Sequence, residues 1–145
     1  MKNIVSQELK RYNYLLSEID AAYHEASVKT GLSDSVSMIL YTLYENGGEC
    51  LIKDVRNCSG MTKQTAGSAV KKLENDGIIL ILSEGRTKRI KLTEKGKTLA
   101  DNTVKKIIEA ENDVFSSWEK EDVESYFRLT AKYLEDFKKR ITEKQ

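Results

Sequence analysis

With 145 residues, 39% of them apolar and 32% charged, the chain is long enough to bury a core of its own and too apolar to stay disordered. Two cysteines are too few for a disulfide framework, no apolar run approaches a membrane span, and the N-terminus lacks a signal-peptide core, so a cytoplasmic protein with no membrane partner is expected. The net charge of +1 hides a division: residues 53–91 hold nine Lys and Arg against four Asp and Glu, while residues 1–52 hold four against seven and residues 101–145 nine against eleven. A basic middle between acidic ends predicts a local surface for a polyanion.

In chain order, the first predicted element is a helix. Val5, Leu9, Tyr12, Leu16, Ile19 and Tyr23 recur every three or four residues. Gly31 ends it, with Lys29 in the last turn, where a cation is favoured. Ser33 or Asp34 caps a second helix, whose apolar stripe is Val36, Ile39, Leu40 and Leu43 and which stops at "NGG", residues 46–48. A short extended piece, "ECLI", leads into a short helix over residues 53–59, anchored by Val55 and Cys58. Gly60 then makes a turn, Thr62 caps the next helix, and Gly77 ends that helix. Short helix, glycine turn and second helix make a helix-turn-helix.

Two strands follow, "IILILS" at 78–83 and "KRIKL" at 88–92, joined by "EGRT" with Gly85 available for a tight turn. A basic-tipped hairpin directly after a helix-turn-helix is a wing. Thr93 caps a helix that runs from 94 to about Trp118, since no proline interrupts it. A last helix starts near Lys120, with Val123, Phe127, Leu134, Phe137 and Ile141 as its stripe. The expected fold is mainly α with a small β-hairpin (α+β). It is a single domain, 1–145, with a winged helix-turn-helix lobe over 33–93 and helical flanks at 1–30 and 94–145.

The chemistry concentrates in "MTKQTAGSAVKKLENDG", residues 61–77. Ala66, Val70 and Leu73 form a core face. The other face carries hydrogen-bonding side chains that a helix does not need for solubility. Gln64 can pair bidentately with adenine, and Thr65 and Ser68 can bond bases or phosphates. Gly67 lets backbone come close to a partner. Lys63 and Lys72 can neutralise phosphates, as can the helix N-terminus at Thr62. On the wing, Arg86 is the candidate for a minor groove, with Thr87 and Lys88 beside it. Lys71 is read as plainly solvated, and Glu74 and Asp76 turn the far end of the helix away from phosphate.

"MTKQTAGSAVKKLENDGII" followed by "EGRTKRIKLTEKG" resembles the MarR (multiple antibiotic resistance regulator) family of bacterial winged-helix regulators. The shared pattern is T-x-x-T-A-x-x-x-V-x-x-L-E-x-x-G with "LTEKG" after the wing. The resemblance implies a homodimeric transcription regulator, a repressor on a palindromic double-stranded DNA operator, with groove contacts on Thr62, Lys63, Gln64, Thr65 and Ser68 and the wing arginine at Arg86. Many members carry an aspartate and two adjacent arginines at the wing start. Here the stretch is Glu84, Gly85, Arg86, so one arginine is missing and the wing makes fewer contacts.

A dimer also follows from physics, since two half-sites about one helical turn (~34 Å) apart double the contacts of one small lobe. Val5, Leu9 and Tyr12 at one end, with Phe127, Tyr133, Leu134, Phe137 and Ile141 at the other, are the expected dimerisation residues. The resemblance further implies a small aromatic or phenolic effector, often an anion, between the dimerisation helices and the DNA-binding lobe. Tyr12, Tyr23, His24, Tyr41 and Trp118 are the candidate lining. His24 is the only histidine, which argues against a metal site, and no cofactor is expected. Cys50 and Cys58 are expected to be reduced and inert. No phosphate loop or nucleophile with a neighbouring base is visible, so no enzyme is expected. The competing expectation is a winged helix that docks a protein, which would place an apolar patch on the second helix of the motif.

Overall fold

The computed structural model describes residues 1–57 and 61–144. Four of its helices begin where the sequence supplies a hydroxyl. Ser6 accepts from the Leu9 N–H ahead of α1 (Gln7–Thr30), and Ser33 accepts from Val36 ahead of α2 (Asp34–Glu45). Thr62 accepts from Thr65 ahead of α4 (Lys63–Asn75), and Thr93 from Gly96 ahead of α5 (Glu94–Asn102). Each bond satisfies one of the N–H groups that a helix start leaves without an intrahelical partner. Between α2 and α4 lie strand β1 (Glu49–Leu51) and the short helix α3 (Ile52–Arg56). The expected helix residues Cys58 and Ser59 and the turn at Gly60 fall outside the described residues.

The chain divides into two compact units, Met1–Ile107 and Ile108–Gln145. In the first, β2 (Ile79–Glu84) and β3 (Thr87–Leu92) form the expected hairpin, with Glu84 opposite Thr87 at its tip. The "ECLI" piece is more than a connector. It pairs antiparallel with β3, Cys50 opposite Ile90, and completes a three-stranded sheet in the order β1-β3-β2. The core lies between this sheet and the helices: Ile39, Leu40 and Leu43 of α2, Val55 of α3, Val70 and Leu73 of α4, and Ile79 and Ile90 of the sheet are buried together. Cys50 is buried in the same core.

The "LTEKG" segment fixes α5 to the hairpin. The Thr93 hydroxyl donates to the Gly77 carbonyl at 2.6 Å, and the Thr93 N–H donates to the Ile78 carbonyl at 3.0 Å. At Gly96 a Cβ would be driven into the Ile78 carbonyl oxygen, so only glycine allows this approach.

The single helix expected from 94 to about 118 is two helices. α5 ends at Asn102, and α6 (Val104–Ser117) begins after Thr103, whose φ of −128° and ψ of −88° are not helical. No proline stands at the break; the backbone leaves the helical ladder at Thr103 itself. The Thr103 hydroxyl donates to the Leu99 carbonyl at 2.6 Å, the acceptor its own N–H would take in a continuous helix, and that N–H bonds Ala100 instead. Thr103 and Val104 are both buried at the break.

The second unit contains the remainder of α6 and α7 (Lys120–Glu143). Phe115 packs on Trp118 and Phe127 with ring centroids 5.5 and 5.3 Å apart, and Tyr126 joins them. α7 has a pronounced apolar stripe and no buried residue.

Candidate nucleic-acid interface

Helical phase decides what α4 presents. Ala66, Ala69, Val70 and Leu73 are buried against the core. Gln64, Ser68 and Lys71, four and three residues apart, therefore share the centre of the outward face. One flank of that face meets the start of α2 in a cleft of about 390 Å³, lined by Ser33, Ser35, Gln64, Thr65, Ser68 and Lys72. The opposite flank, with Gly67 and Lys71, borders a notch of about 240 Å³ that reaches Arg56 of α3 and Ile81 of β2. Thr62, Lys63, Gln64, Thr65, Gly67, Ser68 and Lys72 are all exposed.

Two of these residues have their hydrogen bonding set by the fold. The Thr62 hydroxyl accepts from the Thr65 N–H at 3.1 Å and donates to the Thr65 hydroxyl at 2.8 Å. Its proton is thus committed, while the Thr65 hydroxyl, as acceptor, keeps its own proton to give outward. Lys72 lies 3.7 Å from Asp76 one turn on, with both side chains more than half exposed. Such a pair is worth little, so Lys72 remains available to an anion.

The wing turn places Gly85 at φ 62°, the positive angle that the first central residue of a two-residue hairpin turn of this hand requires. Arg86, Thr87 and Lys88 are exposed at the tip. Arg89 is held further down, its Nε donating to Glu49 Oε1 at 3.2 Å and tying β3 to β1. The Arg89 charge is therefore used inside the sheet, while Arg86 and Lys88 remain exposed at the tip.

The aromatic residues expected to line one pocket do not all belong to one unit. Tyr23, His24 and Tyr41 do line a common cleft, of about 410 Å³, between α1 and α2. Tyr12 lies more than two turns earlier on α1 and is not part of that lining. Trp118 belongs to the second unit, edge-on to Phe115 and Tyr126. The lining that sequence reasoning missed includes Asp20, Ser27, Asp34, Ser37 and Met38. Asp20, Tyr23, His24 and Ser27 fall at helical spacing, so a face count along α1 finds them together. His24 Nδ1 lies 3.0 and 3.2 Å from the two Asp34 carboxylate oxygens, joining α1 to the start of α2. Ser27 and Ser37, both buried, are hydrogen-bonded to each other at 3.2 Å. Among the described residues, no group of three or more His, Cys, Asp and Glu could hold a metal ion.

Val5, Leu9, Tyr12, Phe127, Tyr133, Leu134, Phe137 and Ile141 are all exposed, Phe127 to 53% and Leu134 and Phe137 each to 51%. Tyr133 and Phe137 stack on each other at 5.9 Å along α7. Among the described residues, no helix is long and apolar enough to cross a membrane.

Lobe, wing and flanking helices define a winged helix-turn-helix fold. Residues 30–90 match the model of the MarR family, one of regulators rather than enzymes. A search of the curated proteins found no match. Among solved structures the chain is similar to a MarR family regulator from Neisseria meningitidis, with 22% identity, a TM-score of 0.82, and 97% of this chain and 100% of that one covered. It is also similar to the MepR–DNA complex of S. aureus (18% identity, TM-score 0.68, 94% and 99% covered). A third likeness is to NadR in complex with 4-hydroxyphenylacetate (16% identity, TM-score 0.68, 92% and 96% covered). At these identities the likenesses show the fold.

Proposed function

We propose that the protein is a cytoplasmic, sequence-specific DNA-binding transcription regulator, a repressor that binds a palindromic operator as a homodimer. The observation that carries this is α4. One side is locked into the core, and the other presents Gln64, Thr65, Ser68 and flanking lysines to solvent, beside a wing whose tip carries Arg86, Thr87 and Lys88. The solved complex of MepR with DNA, a protein of the same fold, supports the reading. The dimer is supported by α7, which buries none of its apolar residues within the chain.

The test is selection from random duplexes about three helical turns long, followed by binding of the enriched sequence. The expected result is an inverted repeat bound by a dimer, with affinity falling on the order of 10³-fold between about 50 and about 200 mM salt if six or more phosphates are contacted. Failure to enrich any sequence at low salt sinks the proposal. The competing module that docks a protein needs an apolar patch on α4. Among the described residues, no large apolar side chain of that helix is exposed.

A small aromatic effector in the α1–α2 cleft is a second part of the reading, supported by the solved complex of NadR with 4-hydroxyphenylacetate. The cleft alters its expected chemistry. Asp20 and Asp34 line it, and no lysine or arginine does. An aromatic carboxylate would find two like charges and only His24 against them, so a neutral phenol suits the lining better. Shifted melting with a phenol and none with the matching carboxylate is the expected result; the reverse order refutes it.

A further inference from the structure

α4 carries a glycine that the fold itself does not require. Gly67 is the fifth of thirteen helical residues, exposed, and in ordinary right-handed conformation. A Cβ built there meets nothing within 4 Å. Glycine weakens a helix interior more than any residue but proline, because it surrenders the most backbone freedom. At Gly96 the same weakness is compensated inside the molecule, where the Ile78 carbonyl occupies the space a Cβ would take. At Gly67 no neighbour among the described residues does, which leaves the backbone open to a partner.

The surroundings of Gly67 indicate what approaches. It borders the notch floored by Ile52 and Ile81, with Arg56 on the α3 side and Lys71 one turn along α4. Both cations are exposed, and neither is paired with a carboxylate among the described residues. Lys71 also shares the outward face with Gln64 and Ser68. Glu74, three residues beyond Lys71, lines the same notch and would repel an anion at its far end. A negatively charged strand therefore fits beside Gly67 and Lys71 and not beyond them.

We propose that Gly67 is where a DNA sugar–phosphate strand lies directly against the backbone of α4, with a phosphate held between Arg56 and Lys71. The proposal rests on the DNA-reading function above and adds a contact on the flank of α4 opposite Thr65 and Lys72. Lys71 becomes a binding residue rather than a solvated one, and Arg56 joins the interface from the first helix of the motif.

The test uses the full-length protein and the duplex enriched by selection. Gly67→Ala is expected to melt at the same temperature or a few degrees higher, yet to bind the duplex at least tenfold more weakly. Gly67→Ser, a second small substitution, is expected to show the same separation. Arg56→Gln and Lys71→Gln are each expected to reduce the slope of log affinity against log salt by about 0.9, the signature of one lost phosphate contact. Wild-type affinity in Gly67→Ala overturns the proposal, and so does a lower melting temperature in both Gly67 variants. An unchanged salt slope in both charge variants overturns the phosphate assignment. If the wild-type protein enriches no duplex, the regulator reading fails first; if it does and Gly67→Ala binds equally, only this inference fails.

Discussion

The winged-helix lobe and α7 treat their apolar residues in opposite ways. In the lobe Ile39, Leu40, Leu43, Ile79 and Ile90 are buried to within 1% of complete, and what remains outside on α4 is polar. On α7 the stripe is as regular, but Phe127, Tyr133, Leu134, Phe137 and Ile141 are each 45–53% exposed. The same periodicity thus has two meanings. In the lobe it specifies a core within the chain. On α7 it leaves an apolar stripe exposed, the surface that the proposed dimer would cover.

The largest expected effect breaks this contrast directly. Phe137→Asp combined with Leu134→Asp places two charges in the proposed seam. Light scattering is expected to find the 16.5 kDa chain mass in place of twice that mass, with the lobe still folded by circular dichroism. If the double variant keeps the dimer mass, the seam lies elsewhere. The lobe offers the complementary change. Gly96→Ala pushes a methyl into the Ile78 carbonyl, a backbone atom that cannot swing aside. A loss of about 1–3 kcal/mol in urea unfolding is expected, the usual range for an overpacked core. An unchanged midpoint would mean that α5 is not held to the hairpin as the geometry indicates.

Much of this was legible because it is local. Hydroxyl caps at Ser33, Thr62 and Thr93, the glycines after α1 and α4, and the alternation of "KRIKL" each encode their conformation within a few residues. The misses came from interactions that a periodicity count does not carry. β1 is three residues long and becomes a strand only because β3 is there to pair with it. The break at Thr103 falls inside a run whose apolar residues continue on both sides of it, so the apolar pattern does not record it. Of the five residues expected to line a pocket, shared faces on α1 and α2 bring together Tyr23, His24 and Tyr41, with two aspartates beside them. On α4 the phase was readable, and Lys71 falls at the centre of the outward face together with Gln64 and Ser68.

The smallest expected effect concerns Thr62 and separates positioning from contact. Resemblance alone places Thr62 in the groove, but its hydroxyl is already engaged twice with Thr65. Removing that hydroxyl in Thr62→Ala forfeits the cap of α4, a loss of about 1 kcal/mol. It also frees the Thr65 hydroxyl to rotate away from the direction in which it would donate to DNA. Thr62→Ser retains both bonds and loses only a methyl. Stability and affinity for the selected duplex are therefore expected to fall together in Thr62→Ala and to stay near wild type in Thr62→Ser. If Thr62→Ser keeps its stability yet binds several-fold more weakly, the Thr62 methyl touches the DNA itself, and the residue belongs with Gln64 and Ser68 rather than beneath Thr65.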